Sequence, residues 1–480
     1  MKARILSRIA ATIAGVLLLS HCAQGPVGGG KDLVPVPEQQ EIAMGEQAHQ
    51  ALLKEVAALD NPALQAYVNE VGQRLARQSP RADLPWHFTV LDTPDVNAFS
   101  LPGGHVYLTR GILAYLNSEA ELAAVIGHEI GHVAARHGLR QQGVPAAAGL
   151  GSVLAPETEN RTDASLLQTL AQAWTSGYGR ERELEADRLG AGYLAKSGYR
   201  PQAMIDVIGV LKNQALFAAE QATRDGLPPR TYHGTFDAHP DTDAPLRQAV
   251  GEANPHAVAS PREGRDDYLQ KLPGVPFGDS PDQGVIRDNL LLHERLGLAI
   301  QFPQGWLVHN RPDRVVATNP EGDALLELQQ GPKRGKPLET LQKWVKLDAG
   351  ARFDSGRLSG YPAAFAAGAQ AGKPVVVAAV DFNGTQYLIA GMARDKLAYE
   401  RERSELRATI NSFHAITPAE KKTARTYSLQ LVAAQPGKTT MAGLARQSPL
   451  GANAETQLRL MNGLYPSGEP EPGQLLKIVQ

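Results

Sequence analysis

His128 and His132 stand four residues apart, with Glu129 next to the first, inside the run Gly127-His128-Glu129-Ile130-Gly131-His132. On a helix that spacing projects both imidazoles from one side, where their nitrogens can grip a single tetrahedral Zn²⁺. A cation held there would acidify a water molecule, and Glu129 is placed to take the proton. The surroundings are strongly apolar, and two imidazoles and a carboxylate need partners when they are buried in such a setting. Gly127 and Gly131 are expected to keep the ligand side uncluttered.

A helix must carry these residues, and one is expected from about Ser118 to about Gly138. Ser118 is a good N-cap that Glu121 can complete as a capping box. Leu122, Val125, Ile126, Ile130 and Val133 supply apolar surface round most of the circumference. It reads as a core helix, and H-E-x-x-H on a helix is the zincin arrangement. A catalytic zinc needs a third protein ligand. His137 follows His132 by five positions, about 140° round a continuous helix, so it is expected to face away and be structural. The run Arg180 to Gly190 begins a second helix that ends near Lys196-Ser197-Gly198. There Glu183 and Asp187 share a face, so Glu183 can bind the metal while Asp187 accepts a hydrogen bond from a ligand histidine. A solvated Arg/Glu surface helix is the competing reading of that run.

The ordered set Asn97-Ala98-Phe99-Ser100-Leu101-Pro102-Gly103-Gly104, Thr109-Arg110-Gly111, His128-Glu129-Ile130-Gly131-His132 with Ala135-Arg136-His137, and Glu183-Leu184-Glu185-Ala186-Asp187 resembles the M48 family of zinc metallopeptidases over roughly residues 38–247. The resemblance implies an endopeptidase with His128, His132 and Glu183 as zinc ligands, which sets aside Glu181 and Glu185. It implies Glu129 as general base and Asp187 as a support to the ligands. It also implies a role for His239, in Ala238-His239-Pro240, either at the oxyanion or as a cap on the metal. Trp86 to Leu91 and His105 to Leu108 read as strands separated by the Asn97 to Gly104 loop, and the resemblance implies that the strand before the metal helix offers an edge for an extended substrate near Asn97, Ala98 and Phe99. Backbone pairing of that kind is weakly sequence-specific and suits a protease of unfolded or misassembled envelope polypeptides.

The rest of the chain divides by composition. At 480 residues it exceeds one ordinary core, and 42% hydrophobic content fits globular folding. A net charge of -2 offers no basic excess for nucleic acid. Residues 1–21 read as an export signal, with Lys2, Arg4 and Arg8 ahead of the apolar Ile9 to Leu19. Leu19-Ser20-His21-Cys22 resembles a bacterial lipobox, so Cys22, the only cysteine, is expected to carry lipid. With Ala23 after it, the sorting signal points to the inner leaflet of the outer membrane, the body facing the periplasm. Residues 22–37 read as a flexible tether and 38–253 as the peptidase-like domain. The apolar run 144–154 is short of the ~20 residues that span a bilayer.

Residues 254–283, rich in Pro, Gly and Asp, read as a linker. Residues 284–418 read as a separate α+β accessory domain, similar in its opening to PsbP or Mog1-type sandwiches. Residues 426–480 resemble a LysM-like module, which implies a grip on peptidoglycan sugars. The expected fold class is α+β: a mainly helical zincin-type domain with a small sheet, then the accessory domain, then the small module. The rival reading is an envelope chaperone or assembly scaffold, or a peptidoglycan-binding lipoprotein, with a latent zinc site. Glu129 speaks against a purely structural site, which needs no base.

Overall fold

The computed structural model of the chain describes residues 36–140, 179–224, 244–311, 314–333 and 335–480. Cys22, the export signal, most of the tether, the 144–154 run and His239 lie outside the described residues. The architecture is a mixture of helices and sheets. Among the described residues no helix is long and apolar enough to cross a membrane.

The first part opens with helices α1 (Glu38–Glu55) and α2 (Pro62–Ala76). Asn61 Oδ1 accepts from the Leu64 amide at 3.1 Å, and Pro62 takes the first helical position, so α2 starts where this Asn-Pro pair dictates. Its buried face is Leu64, Val68, Val71 and Leu75. Three strands follow, β1 (His87–Leu91), β2 (Ala98–Leu101) and β3 (His105–Thr109), in the order β1-β3-β2. β1 runs parallel to β3 and β2 antiparallel to it.

This corrects the expected loop over Asn97 to Gly104: its first half is a strand, turned by Gly103 and Gly104 at φ of 80° and 102°. Ala98 to Leu101 is four residues, all buried, and lacks the alternation that marks a half-exposed strand. The correction moves the expected edge as well. β3, the strand before the metal helix, is central, and β2 and β1 are the outer strands.

Beyond β3 come α3 (Arg110–Tyr115), α4 (Glu119–Ala134), the one-turn α5 (His137–Arg140), α6 (Arg180–Lys196), α7 (Ala203–Arg224) and α8 (Ala244–Ala253). Every residue of α4 is buried, as its near-continuous apolar circumference requires. It is the axis on which α2, α6 and α7 pack.

The expected linker 254–283 is structured and belongs to this core. Tyr268, Leu269, Leu272 and Val275 are almost wholly inaccessible and share one apolar cluster with Leu122, Val125 and Ile126 of α4. Arg110, also buried, donates to Asp92 at 2.6 Å and to the carbonyls of Pro276 and Gly278, which fastens the segment down. Its Pro, Gly and Asp residues make turns between short anchors.

The accessory part has cores of its own. Seven strands, β4 (Leu307–Asn310), β5 (Arg314–Thr318), β6 (Ala324–Gln330), β7 (Arg352–Leu358), β8 (Tyr361–Gln370), β9 (Lys373–Phe382) and β10 (Thr385–Ala393), form a sheet of order β7-β8-β9-β10-β6-β5-β4. Helix α9 (Pro337–Trp344) covers one face through Leu341, and α10 (Lys396–Ser412) covers the other through Leu406 and Ile410. The last segment carries β11 (Tyr427–Ala433), α11 (Met441–Gln447), α12 (Ala454–Met461) and β12 (Leu475–Val479), with β11 and β12 antiparallel. Leu429, Leu460, Met461 and Val479 join the same cluster as the α4 residues, so this segment is packed on the first domain and does not hang from it.

Candidate active site

Helix α4 begins at a cap slightly wider than expected. Ser118 Oγ accepts from the Glu121 amide at 3.1 Å, but the Glu121 carboxylate reaches past Ser118 to accept from the Asn117 amide at 2.7 Å. Helix α6 then lies against α4 backbone to backbone. A Cβ added to Gly131 would stand 2.8 Å from the Ala186 carbonyl oxygen, and one added to Gly190 would stand 3.0 Å from the Gly127 carbonyl carbon. Glycine at 131 and 190 is therefore set by the helix crossing, whereas a Cβ on Gly127 would meet the movable end of the Leu194 side chain at 2.9 Å; this replaces the expectation that Gly127 and Gly131 clear the ligand side. The close crossing carries Glu183 and Asp187, one turn apart on α6, to the histidines of α4.

There, His128 Nε2 and His132 Nε2 are 2.9 Å apart, and Glu183 Oε2 lies 3.3 Å from the first and 3.6 Å from the second. All three side chains are buried, and they are the one grouping of three or more potential metal ligands found among the described residues. Tetrahedral bonds of about 2.0–2.2 Å set ligand atoms about 3.3–3.6 Å apart. Two edges of the triangle meet that spacing and the His–His edge is slightly tight, so the donor set, two imidazoles and a carboxylate, fits a zinc-like divalent ion. Asp187 Oδ1 approaches the other ring nitrogen of His128, Nδ1, at 2.9 Å. Glu129 sits on the same turn of α4 and is wholly buried.

The electrostatics are those of a site built for positive charge. Burial alone would push the His128 imidazole down, but hydrogen bonds to Asp187 and Glu183 outweigh it and raise its pKa to about 10. Burial would raise the Glu183 carboxyl, yet the adjoining His132 and His128 hold it well below the usual glutamate range.

His137 departs from its expected place. Helix α4 stops at Ala134, not near Gly138, and Arg136 takes the left-handed φ of 58°, a conformation that costs a non-glycine residue about 1–2 kcal/mol. The Arg136 guanidinium is held 2.9 Å from the carboxylate of Glu41 on α1. The turn returns His137 to the site, with its Nδ1 2.9 Å from Nδ1 of His132 and its Nε2 3.2 Å from Glu185 Oε2. The argument from a continuous helix could not see this. The signal available was Arg136-His137-Gly138, a plausible helix stop directly after the motif. Of the other acidic residues of α6, Glu181 is exposed and Glu185 meets His137. Asn97, Ala98 and Phe99 are buried at and just before β2. His239 and Cys22 lie outside the described residues.

Residues 62–252 match peptidase family M48. The chain carries an M48 peptidase domain. Among its relatives, the beta-barrel assembly-enhancing protease of Escherichia coli (strain K12) is 31% identical over 242 residues, covering 48% of this chain and 47% of that protein. The mitochondrial metalloendopeptidase OMA1 of Arabidopsis thaliana is 31% identical over 203 residues, covering 40% of each. The chain thus spans about half the length of such curated relatives, and both of these are proteases by name. A solved structure of cyanobacterial PsbP from Synechocystis overlaps 28% of this M48-containing chain and 96% of its own, at 14% identity and a TM-score of 0.22, a likeness too slight to bear on the fold.

Proposed function

We propose that this chain is a zinc-dependent endopeptidase that hydrolyses peptide bonds of unfolded or misassembled cell-envelope proteins. The observation that carries the reading is the buried triangle of His128, His132 and Glu183 with Glu129 on the same helical turn. His128, His132 and Glu183 would hold the ion. Zinc, when bound, supplies a Lewis acid that polarises the scissile carbonyl and makes water acidic enough to attack near neutral pH. Glu129 takes the proton of the attacking water and hands it to the leaving amine. Asp187 fixes the ring of His128 so that Nε2 faces the ion. His239 serves either the oxyanion or a latent state in which it caps the ion.

An extended peptide would lie along Asn97, Ala98 and Phe99, a reading supported by the place of β2 as one of the two outer strands of its sheet. The names of the relatives support an envelope setting. Lipid on Cys22 would hold the enzyme at the periplasmic face of the outer membrane. The strand-helix-helix-strand order of 426–480 supports a module that binds peptidoglycan.

Digestion of casein tests the enzymatic claim. The protein should cleave it, stop with a strong chelator and resume with added zinc. Glu129→Gln should retain the ion and lose about 10²–10⁴-fold in rate. A metal-replete Glu129→Gln protein that cleaves at the wild-type rate would remove the general base.

A further inference from the structure

We propose that His137 is a positioning residue for the ligand His132, the middle member of a hydrogen-bond chain His132–His137–Glu185. The inference rests on the metal-site reading above. It begins with the proton count on three groups.

To bind a cation through Nε2, His132 must be neutral and carry its one ring proton on Nδ1. That nitrogen lies 2.9 Å from His137 Nδ1, within hydrogen-bond distance, so the proton is donated to it and His137 Nδ1 accepts. His137 then carries its own proton on Nε2, 3.2 Å from the Glu185 carboxylate oxygen that accepts it. Each donor has an acceptor along the chain and each tautomer is fixed by the next group. His137 is wholly buried, and its ring meets that of His132 edge-on, centroids 5.0 Å apart at 70°. An edge-on approach aims an in-plane lone pair at a neighbour's N–H, where a stacked ring would not.

The backbone holds the arrangement from outside the site. Arg136, in its left-handed conformation, is tied to Glu41, and Glu41 is tied again to Arg81 at 2.9 Å. The two ligand histidines are therefore steadied differently: His128 by a carboxylate directly, His132 by a neutral imidazole with a carboxylate behind it. A carboxylate on the ring N–H makes an imidazole the stronger donor to a metal. The expected result is unequal grip, His128 the firmer ligand and His132 the one that depends on its support.

The test compares zinc affinity, by competition with a chelator, and the visible spectrum of the Co²⁺-substituted protein, for wild type, His137→Phe, His137→Asn and Glu185→Ala, all as the full chain. Phenylalanine keeps the volume and removes the acceptor, and should weaken zinc binding about 10–100-fold and change the Co²⁺ bands. Asparagine, whose Oδ1 can accept from the same N–H, should recover most of both. Glu185→Ala should fall between them, and if His137→Phe does not fold, the Asn and Glu185→Ala variants decide the matter against wild type. Wild-type affinity and spectrum in both His137→Phe and Glu185→Ala would overturn the proposal, as would His137→Asn binding zinc no better than His137→Phe. Wild-type protein that binds no zinc at all would overturn the metal site itself, a failure distinct from these.

Discussion

Asp187 Oδ1 lies 2.9 Å from Nδ1 of His128, and solvent reaches neither side chain. A buried carboxylate on that nitrogen holds the ring in one tautomer and leaves Nε2 to face His132 and Glu183. Under the proposed function, α6 supplies both a ligand, Glu183, and the brace for a ligand on α4.

Replacing that brace has a defined cost. Asp187→Asn keeps the shape and removes the charge, and zinc affinity measured by chelator competition should fall about 10–100-fold. Unchanged affinity would mean that the contact only fills space.

Two glycines on one helix should respond with opposite signs. Gly190 faces the α4 backbone, where a Cβ would come within 3.0 Å of Gly127, whereas Gly192 has nothing within 4 Å of the corresponding position. Gly190→Ala should destabilise by about 1–3 kcal/mol through overpacking. Gly192→Ala should stabilise by about 0.5–1 kcal/mol through helix propensity. Urea unfolding of the two variants checks the contrast.

Acid should act through Glu119 at the start of α4. Its carboxylate is buried and accepts from Tyr199 at 2.6 Å, Tyr67 at 2.7 Å and Arg74 at 2.9 Å, with Arg262 at 2.8 Å. Burial pushes its pKa up, but these partners prevail and hold it below the usual 4.5. A depressed carboxylate contributes its full stability above the unfolded value and loses it as pH falls through the folded one. Glu119→Gln should be destabilised by about 1.5–3 kcal/mol at neutral pH, and the gap to wild type should narrow once the pH drops below 4.5. Thermal unfolding of both proteins across that range gives the answer.

The C-terminal segment should be indispensable to the first domain. Besides its four core residues, it gives the buried Lys477, whose ammonium donates to the Leu116 carbonyl just ahead of α4. Deleting 427–480 should expose that apolar surface and lower the melting temperature of the first domain or cause aggregation. An appended module would leave it unchanged.

What could be read from sequence followed from local rules. The Asn61-Pro62 cap, the ending of α6 at Lys196-Ser197-Gly198 and the i, i+4 pairs on α4 and α6 all depend on neighbours within a turn. Glu183 needed a family resemblance, because nothing local relates a helix near residue 190 to one near residue 130. The misread parts depend on distant partners. β2 is a strand because β3 pairs with it, and residues 254–283 fold because Tyr268 and Leu272 find the core around α4. β8, Tyr361–Gln370, is so rich in alanine that only its neighbours β7 and β9 make it extended. His137 was lost to one positive φ at Arg136, an arginine with no intrinsic preference for it and fixed there by Glu41 from α1.

The central claim is that one ion is held by two residues of α4 and one of α6. An anomalous difference map collected at the zinc absorption edge from crystals of the zinc-loaded protein tests it. The account predicts a single peak within bonding distance of Nε2 of His128, Nε2 of His132 and a carboxylate oxygen of Glu183. A peak bonded elsewhere, or one at the two histidines with Glu183 turned away, would contradict it.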